Sequence, residues 1–195
     1  MGPRVHPPIT RRLRSMERPR LGGVAGRRRV SGMPHPHLRL RNETALDSPL
    51  MFQLFAASRA AELAPVPWTD EQKDAFLRQQ FIAQTDAYRG AYAGGRFMVV
   101  EANGLAIGRL YLAHLDGDLR IVDIALLPEW CGRGIGSRLL ADVLAEADAE
   151  SRAVSLHVEH WNPARRLYDR LGFEPVKEDS VYVLLRRPAQ SSRLS

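Results

Sequence analysis

Gly132-Arg133-Gly134-Ile135-Gly136 places three alternating glycines and a cation within five residues. Glycines let backbone N–H groups approach an anion with no side chain in the way. An apolar, strand-like run over residues 121–127 precedes the turn, and Ser137-Arg138-Leu139-Leu140-Ala141-Asp142-Val143-Leu144 continues it as a helical pattern. The first N–H groups of a helix lack intrahelical partners and carry partial positive charge, so a strand, a glycine turn and a helix start make a phosphate cradle. Arg133 adds a full charge. A P-loop would need Lys followed by Ser or Thr after its glycines, and none follows here. A dinucleotide fingerprint would need GxGxxG, whereas these glycines read GxGxG. It would also need an acidic residue roughly 20 residues on, and Glu159 stands near that distance, so spacing alone leaves this reading open.

A second constellation lies downstream. Asn162-Pro163-Ala164-Arg165-Arg166-Leu167-Tyr168-Asp169-Arg170-Leu171-Gly172-Phe173 follows the strand-like run Val154-Ser155-Leu156-His157-Val158. Together the two segments resemble the GNAT family of acetyl-CoA-dependent N-acetyltransferases. The family's pyrophosphate loop has Arg or Gln, two variable residues, Gly, a variable residue, then Gly or Ala. Residues 131–136 match it except at Cys131, where a neutral thiol replaces the usual long donor and puts cofactor affinity in doubt. The downstream segment is similar to the family's run of Asn, Ala, Tyr and a closing Gly-Phe. The resemblance covers residues 38–187 in layout and is specific over residues 121–173.

That resemblance implies acetyl-CoA as co-substrate, no metal, and acetyl transfer to a primary amine by direct attack. It implies cofactor contacts from Gly132, Arg133, Gly134, Ile135, Gly136 and Ser137 to the pyrophosphate. It implies contacts from the backbone of Ile124, Ala125 and Leu126, and from Asn162, to the pantetheine arm. The oxyanion is expected at a backbone N–H near Leu126. Tyr168 stands at the family's general-acid position, and a phenol with pKa near ~10 keeps its proton at neutral pH. An alkyl ammonium with pKa near ~10.4 costs about 4–5 kcal/mol to deprotonate at pH 7, so a base is needed. Asp123 and Glu159 are the candidate carboxylates, with His157 beside them. Asp123 reads equally as a buried partner of Arg109 or Arg120, and Asn162 equally as a helix cap. A silent CoA-binding module of the same fold is the alternative to an enzyme. Dimers are frequent in the family, so a homodimer is open.

The elements that must hold these residues are legible. Leu38-Arg39-Leu40-Arg41 alternates as a half-buried strand does. Asp47-Ser48-Pro49 suits a helix start, giving a helix over residues 50–63 with Leu50, Leu54, Phe55 and Ala61 on one side. Thr69-Asp70-Glu71-Gln72 is a capping box for a second helix whose Phe76, Leu77, Phe81 and Ile82 face the core. Trp68 and Tyr88 belong to the acceptor wall or to the core. Strands over residues 96–101 and 105–112 are joined by Asn103-Gly104, a strong hairpin signal, and Asp116-Gly117 marks a second hairpin into residues 119–127. A helix to about residue 150, a strand over 153–159, a helix over 163–171 and strands near 173–176 and 181–186 complete the order. The expected fold is α/β: a mixed, mostly antiparallel GNAT-like sheet with flanking helices, its central strands splayed into an acetyl-CoA cleft.

Composition places these elements in one globular domain, residues 37–188. Residues 1–33 hold nine Arg and one Glu, a balance of +8 against +6 for all 195 residues. The basic character therefore belongs to the tail, and it gives no argument for nucleic-acid binding by the fold. The Arg-, Pro- and Gly-rich residues 1–36 show no apolar periodicity and are expected to be disordered, or to precede a true start at Met16 or Met33. Residues 189–195 are expected to be disordered too. No apolar h-region follows Arg11-Arg12, and no stretch nears the ~18 residues of a membrane span. One cysteine excludes an internal disulfide and fits a reducing, cytoplasmic setting.

Overall fold

The computed structural model describes residues 36–190. The expected tail lies outside the described residues except for Pro36, and the expected C-terminal end contributes only Ala189 and Gln190. The strands are β1 (Leu38–Asn42), β2 (Arg96–Ala102), β3 (Leu105–Leu115), β4 (Asp118–Leu126), β5 (Ala153–Glu159), β6 (Glu174–Glu178) and β7 (Tyr182–Arg187). They form one sheet in the order β1-β2-β3-β4-β5-β7-β6. Every neighbouring pair is antiparallel except β4 with β5. Asn103 and Gly104 both take positive φ, 51° and 83°, the geometry that a two-residue hairpin turn of matching twist requires.

The helices are α1 (Ser48–Leu63), α2 (Asp70–Ala91), α3 (Ile135–Ala149) and α4 (Arg165–Arg170). Helix α3 carries Ile135, Leu139, Leu140, Val143, Leu144 and Ala147 at helical spacing, and these bury against Ile121, Ile124, Leu156 and Val158 on one sheet face. The other face packs Met51 and Leu54 of α1 and Tyr88 of α2 against Phe97, Val99, Tyr111, Val122 and Ala125. Thr69 caps α2 reciprocally with Gln72, as the capping box requires.

Some local expectations are corrected. Helix α1 starts two residues early, Met51 takes the buried place expected of Ala61, and Ile82 is 59% exposed rather than facing the core. The α2 stripe is half-buried because only Tyr88 on that helix reaches the sheet fully. The expected helix over residues 163–171 shortens to α4, with Asn162 and Pro163 in the turn before it. Gly172 ends α4 with φ 82°, while Phe173 N–H returns to the Tyr168 carbonyl at 3.1 Å.

Two features shape the sheet centre. The parallel β4–β5 ladder pairs only Asp118–Ile121 with residues 153–156, and beyond Ile121 and Leu156 the strands run on unpaired with each other. The register between β3 and β4 shifts between Tyr111 and Leu112, leaving Val122 as the extra residue of a bulge. A bulge bends its strand and re-aims the next side chains, here Asp123. The splayed cleft expected between residues 119–127 and 153–159 is this opening.

Candidate active site

The glycine loop sits where β4 leaves the sheet and α3 begins. Gly132 and Gly134 hold φ of 73° and 80°, a region L side chains rarely adopt. A Cβ at either position would meet nothing within 4 Å, so open space lies over the loop. Gly134 is the left-handed cap of α3. The loop faces a cavity of about 960 Å³ lined by Gly132, Gly134, Gly136 and Ser137 on one side and by residues 160–167 with Asp169 and Arg170 on the other. The two segments singled out in the sequence, 26 positions apart from Gly136 to Asn162, thus form opposite walls of one cavity.

Asn162 is 3% exposed. Its Oδ1 accepts the Ala164 N–H at 2.9 Å, the capping role. Its Nδ2 is buried with no hydrogen-bond partner among the described residues. A buried, unpaired amide donor on a cavity wall fits a carbonyl of a bound pantetheine arm, since leaving such a donor unpaired costs about 1–3 kcal/mol. Both readings of Asn162 are therefore compatible with its two ends. Of the three β4 residues expected at the arm, Leu126 reaches the cavity, while Ile124 and Ala125 are buried beside it.

Other expected contacts fall elsewhere. Arg133 stacks its guanidinium 4.9 Å from the Trp130 ring centroid and borders a separate cavity of about 280 Å³ with Leu38, Ile135 and Arg138. The structure does not bring Arg133 or Ile135 to the larger cavity. The irregular Cys131 does line it, with Sγ 3.5 Å from the Leu127 carbonyl oxygen and 3.7 Å from that of Leu126. Charge at the cavity comes instead from Arg165, Arg166 and Arg170 of the α4 segment, and Trp161 offers an exposed ring on its wall. Sequence reasoning missed these four, although three arginines within six residues of the second motif were a readable signal.

The ionisable groups cluster where the strands part. Asp123 is 1% exposed; its Oδ2 accepts from Arg109 Nη2 at 2.6 Å and from the Tyr88 hydroxyl at 3.2 Å. Its Oδ1 is buried with no hydrogen bond of ordinary geometry among the described residues. Complete burial pushes the Asp123 carboxyl above its ordinary value, against the pull of Arg109. Tyr168 is 1% exposed, edge-on to Phe173 at 5.6 Å. Burial raises its hydroxyl above the ordinary phenol value, and the nearby Asp123 charge raises it further. Glu159 is buried at the end of β5. His157 accepts at Nδ1 from Arg120 Nη1 at 2.7 Å, and burial, then Arg120, lowers its pKa to about 4. Tyr88, expected at the acceptor wall or in the core, is buried and bonded to Asp123; Trp68 stands 41% exposed, edge-on to Phe76.

A sheet split between its parallel central strands, with a glycine loop and helix start at the split, is the architecture of the GNAT acetyltransferases. Residues 93–175 match the model of the acetyltransferase (GNAT) domain. A curated Bacillus subtilis (strain 168) relative, provisionally named as a ribosomal protein bS18-alanine N-acetyltransferase, is 28% identical over 112 residues. The match spans 56% of this chain and 66% of that relative's length. Among solved structures, the PaiA N-acetyltransferase of Thermoplasma acidophilum in complex with coenzyme A aligns with TM-score 0.59 and 16% identity, over 78% of this chain and 99% of that one. The ribosomal-protein-S18-alanine N-acetyltransferase of Escherichia coli aligns with TM-score 0.54 and 16% identity, over 82% and 99%. These likenesses show a shared fold. No helix among the described residues is long and apolar enough to cross a membrane.

Proposed function

We propose that this protein transfers an acetyl group from acetyl-CoA to a primary amine of a small molecule or peptide within a ternary complex. The observation that carries the reading is the shared cavity, with the glycine loop on one wall and the unpaired Asn162 Nδ2 on the other. Acetyl-CoA supplies an acetyl group activated as a thioester. The N–H groups of Gly132, Gly134, Gly136 and Ser137 hold the pyrophosphate, and Arg165, Arg166 and Arg170 add charge-assisted contacts. Asn162 Nδ2 donates to the pantetheine arm, and the β4 backbone at Leu126 meets the developing oxyanion.

Asp123 is the base in this reading. Its raised carboxyl pKa narrows the gap to an ammonium, and Oδ1 has capacity to accept a proton, directly or through water. Arg109 and Tyr88 fix the carboxylate through Oδ2. Tyr168 holds its proton through the neutral range and donates it to the departing thiolate. Glu159 remains the second candidate base, and Glu159→Gln against Asp123→Asn separates the two.

One observation favours a silent CoA-binding module: Tyr168 does not line the cavity, although its neighbours Leu167 and Asp169 do. Thiol release from acetyl-CoA across amines, peptides, polyamines and aminoglycosides decides. Release that depends on an amine supports transfer, and CoA binding without release supports the silent module.

A further inference from the structure

The split between β4 and β5 has two faces. The face toward α3 and α4 carries the loop and the Asn162 wall; in the acetyl-transfer reading above, the acceptor amine comes from the other face. Strand alternation puts Arg120, Ser155 and His157 on that other face, because Leu119, Ile121, Leu156 and Val158 all pack in the α3 core. Arg120 Nε donates to Ser155 Oγ at 3.0 Å. Its Nη1 reaches forward to His157 at 2.7 Å, one residue beyond the last paired position, Leu156. Arg120 therefore lies alongside the mouth of the split.

Asp118 on the same strand acts on the Arg120 charge through space without pairing with it. No carboxylate among the described residues lies within ion-pair distance of Arg120, although it is half-buried. Asp118 on the same strand is engaged by Arg186, at 2.9 Å from Nη2 and 3.1 Å from Nε. The partners of Arg120 are a hydroxyl and an imidazole, both neutral acceptors. A guanidinium donates only, so His157 Nδ1 accepts and its ring proton sits on Nε2. His157 thus presents an N–H donor beside a guanidinium that no carboxylate pairs directly.

We infer that Arg120 and His157 form an oxyanion-recognition site on the acceptor side of the split, and that the acceptor is an amine that also carries a carboxylate. This rests on the acetyl-transfer reading above. In it His157 is a donor that orients the acceptor and takes no part in removing the amine's proton. A partly desolvated charge with no directly paired carboxylate discriminates a carboxylate from its neutral amide by charge-assisted hydrogen bonds, an effect of about 10- to 100-fold.

The test uses the full chain with acetyl-CoA and matched acceptors: β-alanine, 4-aminobutyrate and lysine, each against its carboxamide. The carboxylates are expected to exceed their amides by about 10- to 100-fold in kcat/KM, mainly through KM. Arg120→Gln should collapse that ratio toward one, and His157→Gln should reduce it in part, with folding checked by circular dichroism. Equal kcat/KM within each pair, or a ratio that survives Arg120→Gln, overturns the site. Absence of turnover with every amine would tell against the transferase reading. In that case calorimetry on the CoA-loaded protein with the N-acetylated acids and their amides still decides the site. Carboxylate-selective binding lost in Arg120→Gln upholds it, and equal or absent binding overturns it.

Discussion

Arg109 Nη2 lies 2.6 Å from Asp123 Oδ2 inside the sheet, with both side chains buried. The pair spans β3 and β4 at the bulge, next to the place where β4 and β5 separate. A buried pair is weak as a source of stability, but removing one partner strands the other charge.

Arg109→Met should therefore destabilise the fold by about 3–5 kcal/mol. The double variant with Asp123→Asn should be less destabilised than the two single losses combined, because neither charge is then stranded. Urea unfolding of the four proteins measures this. Additive losses would mean that the pair carries no coupling.

Tyr168→Phe should lower kcat by about 100-fold or more while leaving CoA affinity within about twofold. The phenyl ring keeps the packing on Phe173, so the hydroxyl alone is tested. Steady-state thiol release and CoA calorimetry read the two quantities, and unchanged kcat removes Tyr168 as the acid.

Asn162→Asp keeps an oxygen for the Ala164 N–H and loses the Nδ2 donor. It should weaken CoA binding by about tenfold or more with little loss of thermal stability. Asn162→Ala should lose both, the cap being worth about 0.5–2 kcal/mol. If Asn162→Asp binds CoA as the parent does, the cap is this residue's whole role.

His157 links stability to pH. Its pKa falls from 6.5 to about 4 on folding, with burial the larger cause and Arg120 the next. Between those values the unfolded chain binds a proton that the folded chain refuses, so stability rises with pH across this window. The contribution is complete above pH 6.5 and is lost as pH falls toward 4. His157→Gln should flatten the slope of unfolding free energy between about pH 6.5 and 4. An unchanged slope would assign it to other groups.

The sequence made the cradle legible because glycine spacing and helix periodicity are local signals. Asn103-Gly104 and the Thr69 capping box were legible for the same reason: each is fixed by its own backbone geometry. What stayed open were the long-range choices. Asp123 was readable as a partner of Arg109 or Arg120; the Val122 bulge turns it onto the Tyr88 face, and the β3–β4 ladder sets it beside Arg109. Arg120 then takes Ser155 and His157 across a parallel register that only the fold sets. Arg133, expected at the phosphates, stacks on Trp130 and borders the smaller cavity. The arginines of α4 reach the main cavity because their helix closes the opposite wall.

The most direct measurement is thiol release from acetyl-CoA by the full chain with an amine panel, paired with mass spectrometry of the acceptor. Acetyl transfer gives amine-dependent thiol release and a product heavier by one acetyl group. Tight CoA binding with no release above hydrolysis for any amine would contradict it.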